Sequence, residues 1–395
     1  MALTIDDILA FRSVSDVQLS PDGAQFAFVV SANHTTLDKA DDGELRRCTG
    51  SAIWLCGAQP GSEARQLTFG PALGSDSLPR WSPDGATLAF LSDRADVGGQ
   101  RQIYTMPVPR GGGGSDDDGA QAVTDVQGDI PTPRGLNAVQ WDPDGASIAF
   151  LLEETIEGQG ERAIGDDAIE YEAHEQFVRV NRLDLATSRV APISPRAAGQ
   201  IWEFAPGPGG KIAAVVSEAP FEWSWYGCRL VAFEGTEDAA VQELASPMKD
   251  GQSRQVAQPQ WSPDGSRIAF ITSTWSDRGC VAGTLMAVNA DGTGVVELTP
   301  GIVASLGWSV WEPSGESLLS IGHERGGSGL HRVSADGSGT TSLWWGQCAV
   351  AEGNWPRFSL AGGTIAVIRE DCAHPRDVWL AEATDPLNWR QAVRY

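Results

Sequence analysis

One decapeptide recurs along this chain and constrains its fold more than any other feature. It reads W-[SD]-P-D-G-x-x-[IL]-A-F at residues 81–90, 141–150 and 261–270. Weaker copies start at Leu19 and Trp311, and degenerate ones at Phe204 and Phe358. The seven starts, 19, 81, 141, 204, 261, 311 and 358, are separated by 62, 60, 63, 57, 50 and 47 residues. A near-regular period of this size marks a repeated supersecondary unit that buries its faces only against its neighbours.

Each copy encodes a hairpin. Pro83, Pro143 and Pro263 preset φ for a tight turn, Asp84, Asp144 and Asp264 can bond their own backbone, and Gly85, Gly145 and Gly265 accept positive φ. The apolar stretch that follows, such as Leu88-Ala89-Phe90-Leu91, reads as a β-strand, and a shorter strand precedes the turn. A second strand pair comes next, as in 102–108 with QAVTD, 284–299 and 329–344. Four antiparallel strands per unit and seven units predict an all-β, seven-bladed β-propeller. The expected hairpins lie near 19–28, 81–90, 141–150, 204–214, 261–270, 311–320 and 358–367 of a ring over 19–395. Residues 1–18 are expected to form a short helix and a lead-in strand, Thr4 with Asp7 giving a capping-box-like start. Trp81, Trp141, Trp261 and Trp311 are expected to wedge between blades, because a repeated residue in a repeated turn has a repeated structural task. Strands run in order within every blade, so ring closure is expected to rest on side-chain packing.

Composition narrows the function. The net charge is −24, from 28 Lys+Arg and 52 Asp+Glu, which argues against nucleic acid or an anionic membrane surface as partner. No apolar run approaches a membrane span, and the first residues lack the basic and apolar regions of a secretory signal, so a cytoplasmic location is expected. The six cysteines form no C-x-x-C and no zinc spacing, and reduced thiols are expected. Neither a cofactor nor a metal is expected. The 111–119 run GGGGSDDDG lacks the alternating ligands and late Glu of a calcium loop.

The repeat, together with the opening stretch LTIDDILAFRSVSDVQLSPDG (3–23), resembles the propeller of the prolyl oligopeptidase (S9) family of serine peptidases, in its acylaminoacyl-peptidase and dipeptidyl-aminopeptidase-like branch. Residues 176–194 and 374–385 resemble further blades of that family, and the repeat is also similar to TolB-type propellers. The resemblance implies a gate over an α/β-hydrolase domain that carries the Ser-Asp-His triad. No G-x-S-x-G nucleophile elbow occurs in these 395 residues; Gly326-Gly327-Ser328-Gly329-Leu330 fails at its last position. No catalytic residue is therefore carried over, and no hydrolase domain is read in this chain. A fragment, a split half or a stand-alone relative are all compatible with that reading.

Two segments are candidate binding sites. The longest insertion, 153–176, holds nine acidic residues against one Arg. Glu153, Glu154, Glu170, Tyr171, Glu172 and Glu175 could face a hydrolase domain or hold a peptide's amino group, since an ammonium needs acceptor-only partners; a solvated loop is the alternative. The run PFEWSWYGC (220–228) offers Trp223 and Trp225 as an exposed aromatic tip or as packing within the ring. The expected function is the non-catalytic, substrate-gating and partner-binding propeller of an S9-type oligopeptidase or aminopeptidase, with a hydrolase domain and short peptides as partners. The alternative is a TolB-like platform for protein interaction or ligand binding.

Overall fold

A computed structural model describes residues 4–5, 10–32, 36–39, 45–48, 50–108, 119–132, 138–154, 175–249, 251–279, 281–351 and 355–394. Seven four-stranded antiparallel blades follow one another around a ring. Blade 1 comprises Arg12–Leu19, Gln25–Ala32, Ser51–Gly57 and Arg65–Gln66, and blade 2 comprises Asp76–Trp81, Thr87–Ser92, Gln102–Pro107 and Gln121–Ala122. Blade 3 runs Val139–Trp141, Ser147–Glu153, Val178–Asp184 and Arg189–Pro192; blade 4 runs Gln200–Pro206, Lys211–Ser217, Arg229–Glu234 and Gln242–Ala245. Blade 5 is Gln255–Trp261, Arg267–Ser273, Thr284–Asn289 and Val296–Glu297; blade 6 is Ser305–Trp311, Ser317–Glu324, Gly327–Ser334 and Thr340–Gly346. Blade 7 has an inner strand split into Ala349–Val350 and Ser359–Ala361, then Thr364–Asp371, His374–Glu382 and Asp385–Val393. Of the expected N-terminal helix, Asp7 and its neighbours lie outside the described residues.

The repeat works as its residue types require. Asp22, Asp84 and Asp264 each accept a bond from the Ser two residues earlier, at 2.6 Å, and from a backbone N–H two residues on. The turn glycines Gly85, Gly145 and Gly265 have φ of 67°, 70° and 69°, a region that costs other residues a Cβ clash. Successive turns also touch: a Cβ on Gly85 would sit 3.4 Å from Pro21 Cδ, and one on Gly145 3.5 Å from Pro83 Cδ. The Pro of one turn thus packs against the Gly of the next. Where the acidic residue follows Trp directly, as in Asp142 and Glu312, an arginine of the third strand neutralises it: Arg182 at 2.7 Å and Arg332 at 2.8 Å.

The indoles join the blades. Trp81 Nε1 donates to the Gln18 carbonyl at 3.1 Å, Trp141 to Arg80 at 2.9 Å, Trp261 to Ala205 at 3.1 Å and Trp311 to Gln260 at 3.2 Å. Each acceptor lies on the inner strand of the preceding blade. Strand pairing identifies the equivalent residue elsewhere, since Trp81 pairs with Leu88 as Leu19 does with Phe26, Pro206 with Ile212 and Leu360 with Ile365. The degenerate copies are therefore centred on Pro206 and Leu360, two residues beyond the aromatic Phe204 and Phe358.

The Ala-Phe alternation of the second strand fills the seams. Phe90 packs in the seam between blades 1 and 2 and Phe150 in that between blades 2 and 3, while Ala89 and Ala149 face the next blade on. All four are fully buried, and each Phe contributes roughly 1.5–3 kcal/mol on burial. Every seam has an apolar cluster, including the closing one, where Val14, Phe26 and Phe28 meet Ala366, Ile368 and Val378. No strand is exchanged there, but packing does not act alone: Leu19 N–H donates to Ser359 Oγ at 3.0 Å, Arg390 donates to the Ala58 carbonyl, and Arg357 pairs with Asp16.

Candidate functional site

An antiparallel four-stranded blade places its two tight turns at one end of the ring. Its strand 2–3 connection and its link to the next blade lie at the other. Both candidate segments are strand 2–3 connections, of blades 3 and 4, so they rise from adjacent blades at the end opposite the S-P-D-G turns. Of the nine exposed large apolar side chains among the described residues, six belong to this end: Phe11, Phe69, Trp223, Tyr226, Val303 and Trp345.

In blade 4 a single helical turn, Glu222–Trp225, presents alternate faces. Trp223 is 59% exposed and lies 6.2 Å from the Phe221 ring. Trp225 is fully buried and stacks on Trp275 of blade 5 at 6.0 Å. Of the two tryptophans only Trp223 offers a surface; Trp225 belongs to the apolar core between blades 4 and 5. Tyr226 Oη donates to the Ser276 carbonyl at 2.9 Å, anchoring the tip to the neighbouring blade's connection.

In blade 3 the stem of the acidic insertion is ordered by arginines. Glu154 Oε1 accepts from Arg196 at 3.0 Å and Arg179 at 3.4 Å. Arg179 also donates to the Gly199 carbonyl at 2.9 Å and lies 5.1 Å over the Phe177 ring. Glu154, Arg179 and Arg196 line a small cavity of about 150 Å³. Glu154 is thus committed to structure. Glu153 is different: burial, and then the nearby Asp129 carboxylate, push its carboxyl above the ordinary range. Glu175 is exposed, and Glu170, Tyr171 and Glu172 lie outside the described residues. Asp129 is itself paired with Arg101 at 2.8 Å, so burial is the main cause of the Glu153 shift.

A third feature was not singled out from the sequence. Asp16, on the inner strand of blade 1, binds Arg80 of blade 2 at 3.0 Å and Arg357 of blade 7 at 2.9 Å. Asp16 sits in the left-handed region, φ 49°, as do Leu78 (53°) and Gln258 (59°) at the equivalent bulge of blades 2 and 5. These residues lie four positions before the serine that opens each turn, where the sequence varies from blade to blade.

Ser328 offers no nucleophile. It is fully buried, its Oγ donating to the Cys348 carbonyl and accepting from Val350 N–H. Cys56, Cys228 and Cys348 are buried free thiols and Cys372 is an exposed one, while Cys48 and Cys280 are not described at side-chain level. Among the described residues no group of three or more His, Cys, Asp or Glu side chains could hold a metal ion, and no helix is long and apolar enough to cross a membrane.

No protein-family model matches the chain. An uncharacterised peptidase of Bacillus subtilis, YuxL, is 34% identical over 173 residues, 44% of this chain and 22% of YuxL. This chain is homologous to a peptidase. Its propeller resembles those of S9 peptidases. Pyrococcus horikoshii acylaminoacyl peptidase superposes with a TM-score of 0.64 at 14% identity, over 98% of this chain and 53% of that one. The propeller domain of the Trilobed protease from Pyrococcus furiosus, described as having an open velcro topology, gives 0.57 at 14% identity over 98% and 97%. The chain therefore spans about half the length of the acylaminoacyl peptidase, and its match about a fifth of YuxL.

Proposed function

We propose that this chain is the substrate-gating and partner-binding propeller of an S9-type serine peptidase. It works with an α/β-hydrolase domain supplied in the same polypeptide or as a separate one. The observation that carries this reading is the homology to a peptidase combined with the asymmetry of the ring. Exposed aromatics gather at one end, with Trp223 at the tip of a loop anchored to the next blade. An apolar surface rimmed by charge is what a partner domain needs. In this reading the propeller presents a surface and restricts access. Short peptides are the substrates that such a gate would admit.

The test is capture. The tagged chain is incubated with lysate of its own source organism, and bound proteins are treated with a fluorophosphonate probe. The reading expects a labelled serine hydrolase in the eluate, no labelling of the chain itself, and weaker capture by Trp223→Ala. Labelling of the chain overturns it, and an eluate without a hydrolase overturns a hydrolase supplied as a separate polypeptide. A stand-alone binding propeller is the second reading, favoured by the apolar cluster and bonds that close the ring within this chain.

A further inference from the structure

A cavity of about 540 Å³ opens at the blade 1 rim, between the ends of its second and third strands and the link to blade 2. That size suits a small ligand. Its wall is a tight turn in which Gly74 N–H donates to the Pro71 carbonyl and the Gly74 carbonyl accepts from Ser51 N–H at 3.1 Å. Gly50 permits the wall to come this close, since a Cβ there would lie 2.6 Å from the Ala72 carbonyl oxygen. Polar groups of the lining are paired: Thr68 Oγ1 accepts from Ile53 N–H at 2.9 Å, and Gln66 Nε2 donates to the Thr68 carbonyl at 2.8 Å.

Arg12 is the exception. It is the one charged side chain among the described residues lining the cavity, it is exposed, and its guanidinium has no carboxylate or carbonyl partner among the described residues. Trp54, Val30, Pro71 and Leu73 add apolar surface to a lining that otherwise mixes backbone, hydroxyl and amide groups. A guanidinium fork matches a carboxylate, and the Trp54 indole with the neighbouring aliphatic lining matches an apolar side chain. We propose that this cavity binds a free carboxylate borne by a short peptide with an apolar or aromatic residue. The α-carboxylate of a carboxy-terminal residue and the side chain of Asp or Glu are the two sources of that group. The site does not depend on a hydrolase partner, so its test stands apart from the capture experiment.

Saturation-transfer NMR on the purified chain would use three probes: N-acetyl-glycyl-phenylalanine, its carboxy-terminal amide, and N-acetyl-glutamyl-phenylalanine amide. The first binds and the second does not. Binding of the third assigns the site to any carboxylate, and its failure assigns it to the α-carboxylate. Arg12→Ala weakens binding of the first probe about 10- to 100-fold, the range of one charge-assisted bidentate contact. Arg12→Lys restores part of it. Unchanged thermal melting of both variants shows that the exposed position is not needed for folding. Equal binding of acid and amide, or an Arg12→Ala variant that binds like the parent, overturns the proposal.

Discussion

Arg357 Nη1 lies 2.9 Å from Asp16 Oδ1 and joins the seventh blade to the first across 341 residues of chain. Arg80 holds the same carboxylate from the second blade at 3.0 Å. The closing seam has no exchanged strand, so this triad ties three blades at the level of the inner strands. Removing one partner of a buried pair leaves an uncompensated charge and costs about 3–5 kcal/mol. Asp16→Ala is expected to lower the unfolding free energy by about that amount in a urea titration. Asp16→Ala combined with Arg357→Ala should cost less than the sum of the two single changes. Strict additivity would show that the triad does not act as a unit.

The same residue sets a pH dependence. Burial alone would raise the Asp16 carboxyl, but attraction by Arg80 and Arg357 and the Gln18 hydrogen bond outweigh it and hold it below its ordinary value of 3.8. A carboxyl depressed in the folded state stabilises the protein above its unfolded pKa. That contribution drains as pH falls below 3.8 and through the folded value. Melting temperatures measured below pH 5 should fall more steeply for the parent than for Asp16→Asn, which starts lower but lacks this titration. Parallel curves would rule out Asp16 as a source of acid lability.

The turn carboxylate of Asp264 should resist protonation. Asp264 is lowered to about 2, chiefly by the Ser262 hydroxyl and then by the backbone and side chain of Ser266. Carboxyl carbon shifts followed by NMR should show Asp264 still ionised near pH 3. Ser262→Ala should move its midpoint up toward the ordinary 3.8. A midpoint that Ser262→Ala leaves in place would remove the hydroxyl as the main cause.

Much of this architecture was legible because the turn chemistry repeats. Pro, Asp and Gly at fixed offsets define the hairpin, and the Ala-Phe alternation defines which face meets which seam. The two degenerate copies misled by two residues for a physical reason. Phe204 and Phe358 are aromatic and buried, and so mimic the wedge, yet they occupy the position of Val17 and Val139 in other blades. Pro206 and Leu360, at the wedge position, have no indole to donate and so left no signal. Trp225 was ambiguous because adjacent aromatics on a single helical turn face opposite ways, which composition does not reveal. Asp16 belongs to no repeated motif, and its partners lie 64 and 341 residues away.

Glycine at 207 has a steric origin rather than a conformational one. Its φ of −120° is open to any residue, but a Cβ there would lie 2.5 Å from Trp261 Cε2. Gly207→Ala should therefore push the indole from the Ala205 carbonyl and destabilise the seam between blades 4 and 5 by about 1–3 kcal/mol, the range for overpacking. Trp261→Phe should cost about 1 kcal/mol for the lost hydrogen bond. Combining them should recover part of the Gly207→Ala loss, because the smaller ring leaves room. Chemical denaturation of the four proteins measures the coupling, and a double variant as unstable as the sum of both changes would exclude this steric account.

Trp223 and Trp225 separate stability from recognition within one helical turn. Trp225 is fully buried against Trp275, so Trp225→Ala opens a cavity and should cost about 3–5 kcal/mol. Trp223 is 59% exposed, so Trp223→Ala should leave the melting temperature within a degree or so, as surface substitutions do. Its effect should appear instead in capture of the hydrolase partner, where an exposed tryptophan at the centre of a contact is worth about 2 kcal/mol or more. Melting scans and capture yields of the two variants give opposite patterns if the tip is a contact surface. A Trp223→Ala variant that captures the hydrolase as well as the parent would move the contact away from blade 4.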